Sequence, residues 1–287
     1  MSSPAGTPVA APVAAPPAAA ATPARPLEAR AAAAYRAAVR REIGGPAAGP
    51  APSPVYPFVL AWDAVVEVLA GVLAANPGVT PTPVHLSQDV RLLRSPRAGE
   101  LLSARAELVG ARRHRAGVSL ALRARLVGEG GATVAELSTG ALLPAARWPE
   151  PFGDWPRPWS GRTSDPVAPV VVQLPPGATE RYAEVSGDRN PVHLDAAQAR
   201  AAGFEGTVTH GMHLLALACE VVVDTCAAGD AGLVRGAGAR FAHPVPVGEV
   251  VVVSVHEPAG DRVPFTVSAG GRTALKNGWV EVRPDRG

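Results

Sequence analysis

A two-copy repeat constrains this chain more than any other feature. The first copy opens with an Ala/Arg-rich, helix-prone segment, Leu27–Arg41. A Gly/Pro loop, Ile43–Pro54, leads to a long apolar helix, Tyr56–Ala75, ended by Asn76-Pro77-Gly78. Four strand-like runs follow: Val84–Leu93, Glu100–Arg113, Gly117–Leu126 and Thr133–Leu143. The second copy repeats the order. It has a short helix at Thr179–Val185, a small extra helix at Ala196–Ala202, an apolar helix at Thr209–Ala228, and runs at Arg235–Ala242, Glu249–His256, Arg262–Ala269 and Thr273–Arg283. The copies also share words. Tyr35-Arg-Ala-Ala-Val39 answers Tyr182-Ala-Glu-Val185, and Ala98-Gly99-Glu100 answers Val247-Gly248-Glu249, each ahead of a long strand. The spacings agree to within about two residues, which is a duplication and not a solenoid. An apolar helix covered by a curved antiparallel sheet satisfies both periodicities, so each copy reads as an α+β unit.

The flanks differ in composition. Residues 1–26 are Ala/Pro-rich and read as a disordered tail. They lack the basic start and continuous apolar run of a secretory signal. Residues 147–169 are Trp/Pro-rich and read as a linker between a first unit, 27–146, and a second, 170–287. No uninterrupted apolar run reaches about 18 residues, so no membrane span is expected. The formal net charge of +2 gives no reason to expect nucleic acid. Cys219 and Cys226 fall roughly 10 Å apart on one helix. That is too far for a bridge, so both are expected as reduced core thiols in a cytoplasmic protein.

Reactive side chains concentrate in Tyr182-Ala-Glu-Val-Ser-Gly-Asp-Arg-Asn-Pro-Val-His-Leu-Asp195, followed by Gly203-Phe204 and His210-Gly211-Met212. Asp188 and His193 lie five residues apart on a loop stiffened by Pro191, so both can address one water molecule. Histidine titrates in the range that proton transfer near neutrality needs. Thr209 reads as a helix N-cap, placing Gly211 in a first turn whose amides have no helical partner and sit at the positive end of the dipole. Asn190 and Ser186 read more readily as loop hydrogen-bonders than as chemical groups. His210 reads as a packed or supporting histidine. His213, next to it, stands where an apolar residue is expected and should turn away from the site. A metal held by these histidines is the lesser reading. In Arg112-Arg113-His114-Arg115 a solvated loop outweighs a phosphate or carrier-protein site.

This run resembles the motif of the MaoC-like dehydratases, the (R)-specific enoyl-thioester hydratases (hydratase 2). Ser186, Gly187, Asp188, Asn190, Pro191, His193, Asp195, Gly203, Phe204, His210, Gly211 and Met212 all match. Tyr182 stands one place closer to the serine than in the family pattern, and no role is carried onto it. The first copy resembles the degenerate half of two-hotdog members, through Pro57-Phe58 and His85–Gly99. It has no Asp/His pair, reading Arg-Arg-Glu-Ile-Gly-Gly after Val39. The resemblance implies a double hotdog: two helix-wrapped antiparallel sheets in one chain, with one active site. It implies Asp188 and His193 as the catalytic pair and the Gly211 amide as the oxyanion donor, with Asn190, Ser186 and His210 around the substrate. The substrate would be an acyl thioester on coenzyme A or an acyl carrier protein, in fatty-acid or polyketide-type metabolism. No cofactor or metal is implied, and a homodimer is compatible with the fold. A hotdog thioesterase and a non-catalytic acyl-binding or scaffold subunit remain as rivals.

Overall fold

The structure, a computed structural model, describes residues 19–45, 49–76, 83–146, 150–153, 155–156, 159–161 and 164–283. The first half contains β1 (Ala19–Ala21), β2 (Arg25–Pro26), α1 (Ala29–Arg40), α2 (Tyr56–Ala74), β3 (Val84–Leu92), β4 (Leu101–His114), β5 (Gly117–Val127) and β6 (Thr133–Pro144). A short β7 (Phe152–Gly153) follows. The second half contains β8 (Pro166–Gln173), α3 (Ala178–Ser186), α4 (Ala196–Ala201), α5 (Gly211–Cys226), β9 (Val234–Phe241), β10 (Val250–His256), β11 (Arg262–Ala269) and β12 (Arg272–Val282).

Each half wraps antiparallel strands around its apolar helix, α2 or α5. The strands run β1-β4-β5-β6-β3 in the first half and β9-β12-β11-β10-β8 in the second. These orders mirror each other. β3 pairs antiparallel with β9, Asp89 opposite Gly238, and fuses the two sheets into one of twelve strands among the described residues. Trp279 Nε1 donates to Asp89 Oδ1 at 2.9 Å across this seam. The shared Gly-Glu word has a conformational cause: Gly99 and Gly248 turn at φ 77° and 92°, where a side chain would be strained.

The duplication is a spatial pseudo-twofold. The tyrosines shared by the two halves meet, with Tyr35 Oη and Tyr182 Oη 3.0 Å apart and both rings buried. This is the self-contact expected on such an axis. On the same face, α1 docks on α5 through buried charge. Arg36 Nε donates to both Glu220 oxygens at 2.9 and 3.1 Å, and Arg40 bridges Glu220 and Asp224 at 2.9 Å.

The structure corrects the boundaries at both flanks. The expected tail, residues 1–26, is not free throughout: residues 1–18 lie outside the described residues, but Ala19–Ala21 and Arg25–Pro26 pair with β4. The expected linker, residues 147–169, ends in β8, which begins at Pro166 and pairs with β10. β1 and β8 occupy matching outer edges and precede matching helices, so each repeat begins with an edge strand. Proline is tolerated there because an edge strand need not donate on its open side. Cys226 is also corrected: it is an exposed free thiol, whereas Cys219 is buried. By length and composition α2, 19 residues long, is apolar enough to cross a membrane, with a mean hydropathy of 1.8 over an 18-residue window. Here Ala61, Ala64, Val65 and Val68 face the core.

Candidate active site

The site lies where the loop after α3 meets the N-terminus of α5. Gly187 ends α3 in the left-handed conformation, φ 75°, and turns the chain into the loop. Asp188 N–H donates to Ser186 Oγ at 3.2 Å, and Asp188 Oδ1 accepts from Asn190 N–H at 3.1 Å. Asn190 caps the short helical turn Pro191–His193, its Oδ1 accepting from Val192 N–H at 3.3 Å. Ser186 and Asn190 thus shape the loop, as expected from their short polar side chains.

His193 points back toward α5. Its Nδ1 lies 2.7 Å from the Val208 carbonyl oxygen. A carbonyl only accepts, so Nδ1 carries the proton and Nε2 keeps its lone pair. His210 Nε2 donates to the Asp188 carbonyl oxygen at 3.0 Å, and the His210 ring stacks on His193 at 3.8 Å. Asp188, His193 and His210 each bring one ligand-type atom within 4.8 Å of the others. Two of the four ring nitrogens are committed to backbone carbonyls, which suits a proton-handling pair held by a supporting histidine better than a metal cage.

The electrostatics follow from burial. Desolvation pushes His193 below the ordinary imidazole range, opposed by the charge of Asp188 and the Val208 carbonyl. His210 is pushed down to about 2 by burial and by its neighbour His193. His85 is pushed down to about 4 by burial, against the opposing pull of Gln88 and the Ser87 backbone. Both refuse protons that the unfolded chain accepts below about pH 6.5. Stability is therefore full above that pH and falls as the pH drops toward the folded-state values. At about pH 5 each should cost on the order of 2 kcal/mol. Urea unfolding at neutral pH and at that pH measures this; an unchanged midpoint would contradict it.

His210 is the N-cap of α5 and Gly211 its first residue, one place later than the expected cap at Thr209. The consequence for Gly211 is the same: its amide lies in the unpaired first turn. Asp188, His193 and Gly211 open on one cavity of about 800 Å³. Its far wall comes from the first half: Phe58, Trp62, Val65 and Leu69 of α2, with His85 and Thr139 from β3 and β6. Phe241 completes the wall beside Gly211. A Cβ on Gly211 would fall 2.8 Å from Phe241 Cδ1. Gly211→Ala should therefore swing this ring into the cavity, raising KM more than it lowers kcat and costing about 1–3 kcal/mol of stability. Steady-state kinetics and thermal unfolding check it.

Sequence reasoning did not foresee the residues from the first half. Phe58 and Trp62 lie in an apolar helix indistinguishable from core, and His85 sits in a strand. Tyr182 packs behind the site, with its ring 5.0 Å from that of His210. His213 turns away from the cavity as expected, stacking on Tyr182 at 4.8 Å with Nε2 3.9 Å from Glu42. The basic run after Ala111 stays outside the cavity, with Arg112 3.9 Å over the Trp155 ring.

Residues 159–273 match the model of the MaoC like domain. Enoyl-CoA hydratase ChsH3 of Mycobacterium tuberculosis is 37% identical over 98 residues, which cover 34% of this chain and 34% of that protein. The chain thus spans about a third of that relative. A MaoC-like dehydratase from Phytophthora capsici superposes with a TM-score of 0.76 at 18% identity, covering 93% of this chain and 96% of the other. A Mycobacterium tuberculosis protein described as a double hotdog superposes at 0.59 and 18% identity, covering 92% and 95%.

Proposed function

We propose that this chain, whose residues 159–273 match the MaoC like domain, hydrates trans-2-enoyl thioesters and dehydrates (R)-3-hydroxyacyl thioesters. One observation carries the reading: a carboxylate, an imidazole with a free Nε2, and an unpaired helix N-terminal amide open on one largely apolar cavity. Hydration needs these three groups. The Gly211 amide and the dipole of α5 draw charge onto the thioester oxygen, making the β-carbon electrophilic. Asp188 and His193 hold one water molecule and take its proton as its oxygen bonds to the β-carbon. A proton then returns to the α-carbon and the enolate collapses to the thioester. Dehydration is the reverse: the pair removes the α-proton and protonates the leaving hydroxyl. The apolar wall from the first half takes the acyl chain, and coenzyme A or an acyl carrier protein presents it.

The test is turnover of enoyl-CoA substrates from crotonyl-CoA upward, beside acyl-carrier-protein thioesters. Loss of enoyl-thioester absorbance and the configuration of the product are followed. Failure to hydrate any of them would sink the proposal. Thioester cleavage without hydration would favour a thioesterase.

The pH profile adds a prediction. His193 must be neutral to accept a proton, and burial lowers its pKa. The acid limb of kcat/KM should therefore fall below about 6.5, the ordinary imidazole value. An acid limb above that value would assign it to another group.

A further inference from the structure

We infer that the tip of the β4–β5 hairpin, Arg113-His114-Arg115, binds the phosphate groups of coenzyme A, an assignment that rests on the acyl-thioester reading above and names its carrier. The three side chains are exposed, yet the tip is more than a turn in solvent. It closes against the chain that leaves β6, Ala145 and Ala146, and encloses a recess of about 470 Å³. Ala145 N–H donates to the Ala116 carbonyl oxygen at 2.8 Å, with Ala145 itself in the left-handed region at φ 58°. At Gly117, φ 149°, a Cβ would strike the Leu143 carbonyl oxygen, so only glycine lets the tip close here. Donors line the recess. Ala116 N–H donates to His114 Nδ1 at 3.2 Å, so that nitrogen accepts and Nε2 carries the proton. This histidine and two arginines face the recess, and no carboxylate lines it among the described residues. Arg112 takes no part, because its guanidinium lies 3.9 Å over the Trp155 ring.

The ligand follows from charge and reach. A recess lined by guanidinium forks and by no carboxylate suits phosphate oxygens. Reach ties it to the catalytic cavity, since Ala145 lines both. Along β6, Ala141 lies opposite His85 at the cavity wall, and Pro144 lies opposite Gly117 at the hairpin. Three residues of strand put about 10 Å between these points. The Phe241 ring alone separates His85 from Gly211. A pantetheine arm has two amide units between sulfur and phosphate and extends to about 15 Å at backbone-like bond lengths. A thioester held at Gly211 therefore leaves its phosphates at the lip of the cavity, beside the hairpin. The occupant is coenzyme A and not the acidic helix of a carrier protein, which needs an extended basic face; these donors line one concave tip. Coenzyme A also brings a diphosphate and a 3′-phosphate, whereas a carrier-bound arm has a single phosphodiester.

The experiment compares crotonyl-CoA with crotonyl-pantetheine, which lacks phosphate, on wild type and on Arg113→Gln/Arg115→Gln. Circular dichroism checks folding, and Arg115→Gln alone is used should the double variant not fold. KM for crotonyl-CoA should rise about tenfold to a hundredfold, the worth of lost hydrogen bonds to charged groups, with kcat unchanged. Both constants for crotonyl-pantetheine should stay at their wild-type values. Equal changes with both thioesters, or no change with crotonyl-CoA, would overturn the assignment. So would a KM rise confined to crotonyl-acyl-carrier protein, which would place a protein carrier at the tip. Calorimetry with free coenzyme A is read apart from turnover. Wild type should bind it about tenfold or more tightly than the variant does. Equal affinities, or no binding by wild type, would also overturn the assignment. If neither thioester is hydrated, the hydration reading fails, while the calorimetry still decides the hairpin.

Discussion

Asp188→Asn and His193→Gln should each lower kcat/KM for enoyl-thioester hydration by about 10²–10⁴-fold. Both changes keep side-chain size and much of the hydrogen bonding. The asparagine side chain in the first variant would still accept from the Asn190 amide, the bond that Asp188 Oδ1 makes now. It would lose the charge that supports His193 and the ability to share a proton. The glutamine side chain in the second could still reach the Val208 carbonyl, but it offers no titrating lone pair. In the proposed mechanism the two groups act on one water, so removing either removes the unit, and the double variant should be little worse than the worse single. Circular dichroism confirms folding, and kcat/KM is measured for each variant. Near-normal rates in folded Asp188→Asn would mean that the loop is a relic, and the acyl-binding scaffold reading would then lead. Additive losses in the double variant would instead mean that the two residues serve separate steps.

Glu220→Ala should be the most damaging single change to stability outside the site, about 3–5 kcal/mol. Glu220 is fully buried and faces Arg36 and Arg40, which are 3% and 5% exposed. Removing the carboxylate strands both guanidinium groups. Arg36 would keep its bonds to the Ala51 and Gly229 carbonyls, and Arg40 its contact to Asp224, but neither carbonyls nor a 40% exposed carboxylate replaces a buried counter-charge. The expected observation is a lower urea midpoint with an unchanged slope. A loss below about 1 kcal/mol would mean that the arginines swing out to water at little cost. Replacing all three residues by Met and Leu of similar volume should recover most of the loss, because the penalty comes from unpaired charge and not from missing volume.

Much of the architecture was legible because it is written in local periodicity. The apolar helices at Tyr56 and Gly211, the four-strand runs and the Gly99 and Gly248 turns all follow from spacing and φ requirements within a few residues. So did Asp188, His193 and Gly211: one loop and one helix start, contiguous in sequence, carry them all. The sequence alone therefore determined the duplication, the hotdog unit and the residues proposed for the site. Tertiary structure decided everything that depends on which distant segments meet. β1 is a strand only because β4 offers it an edge, since its three alanines carry no strand signal; β8 has the valines of a strand, but Pro166 and Pro169 mask them until β10 offers it an edge. Nothing in the local pattern of α1 marks Arg36 and Arg40 as buried until α5 presents Glu220 to them. Tyr35 meets Tyr182, and His85, Phe58 and Trp62 wall the cavity, only because β3 pairs with β9 and brings the second half's site against the first half's helix. Contacts of that range leave no local pattern. They arise from burial and strand pairing summed over the whole chain, and those terms exist only once it has folded.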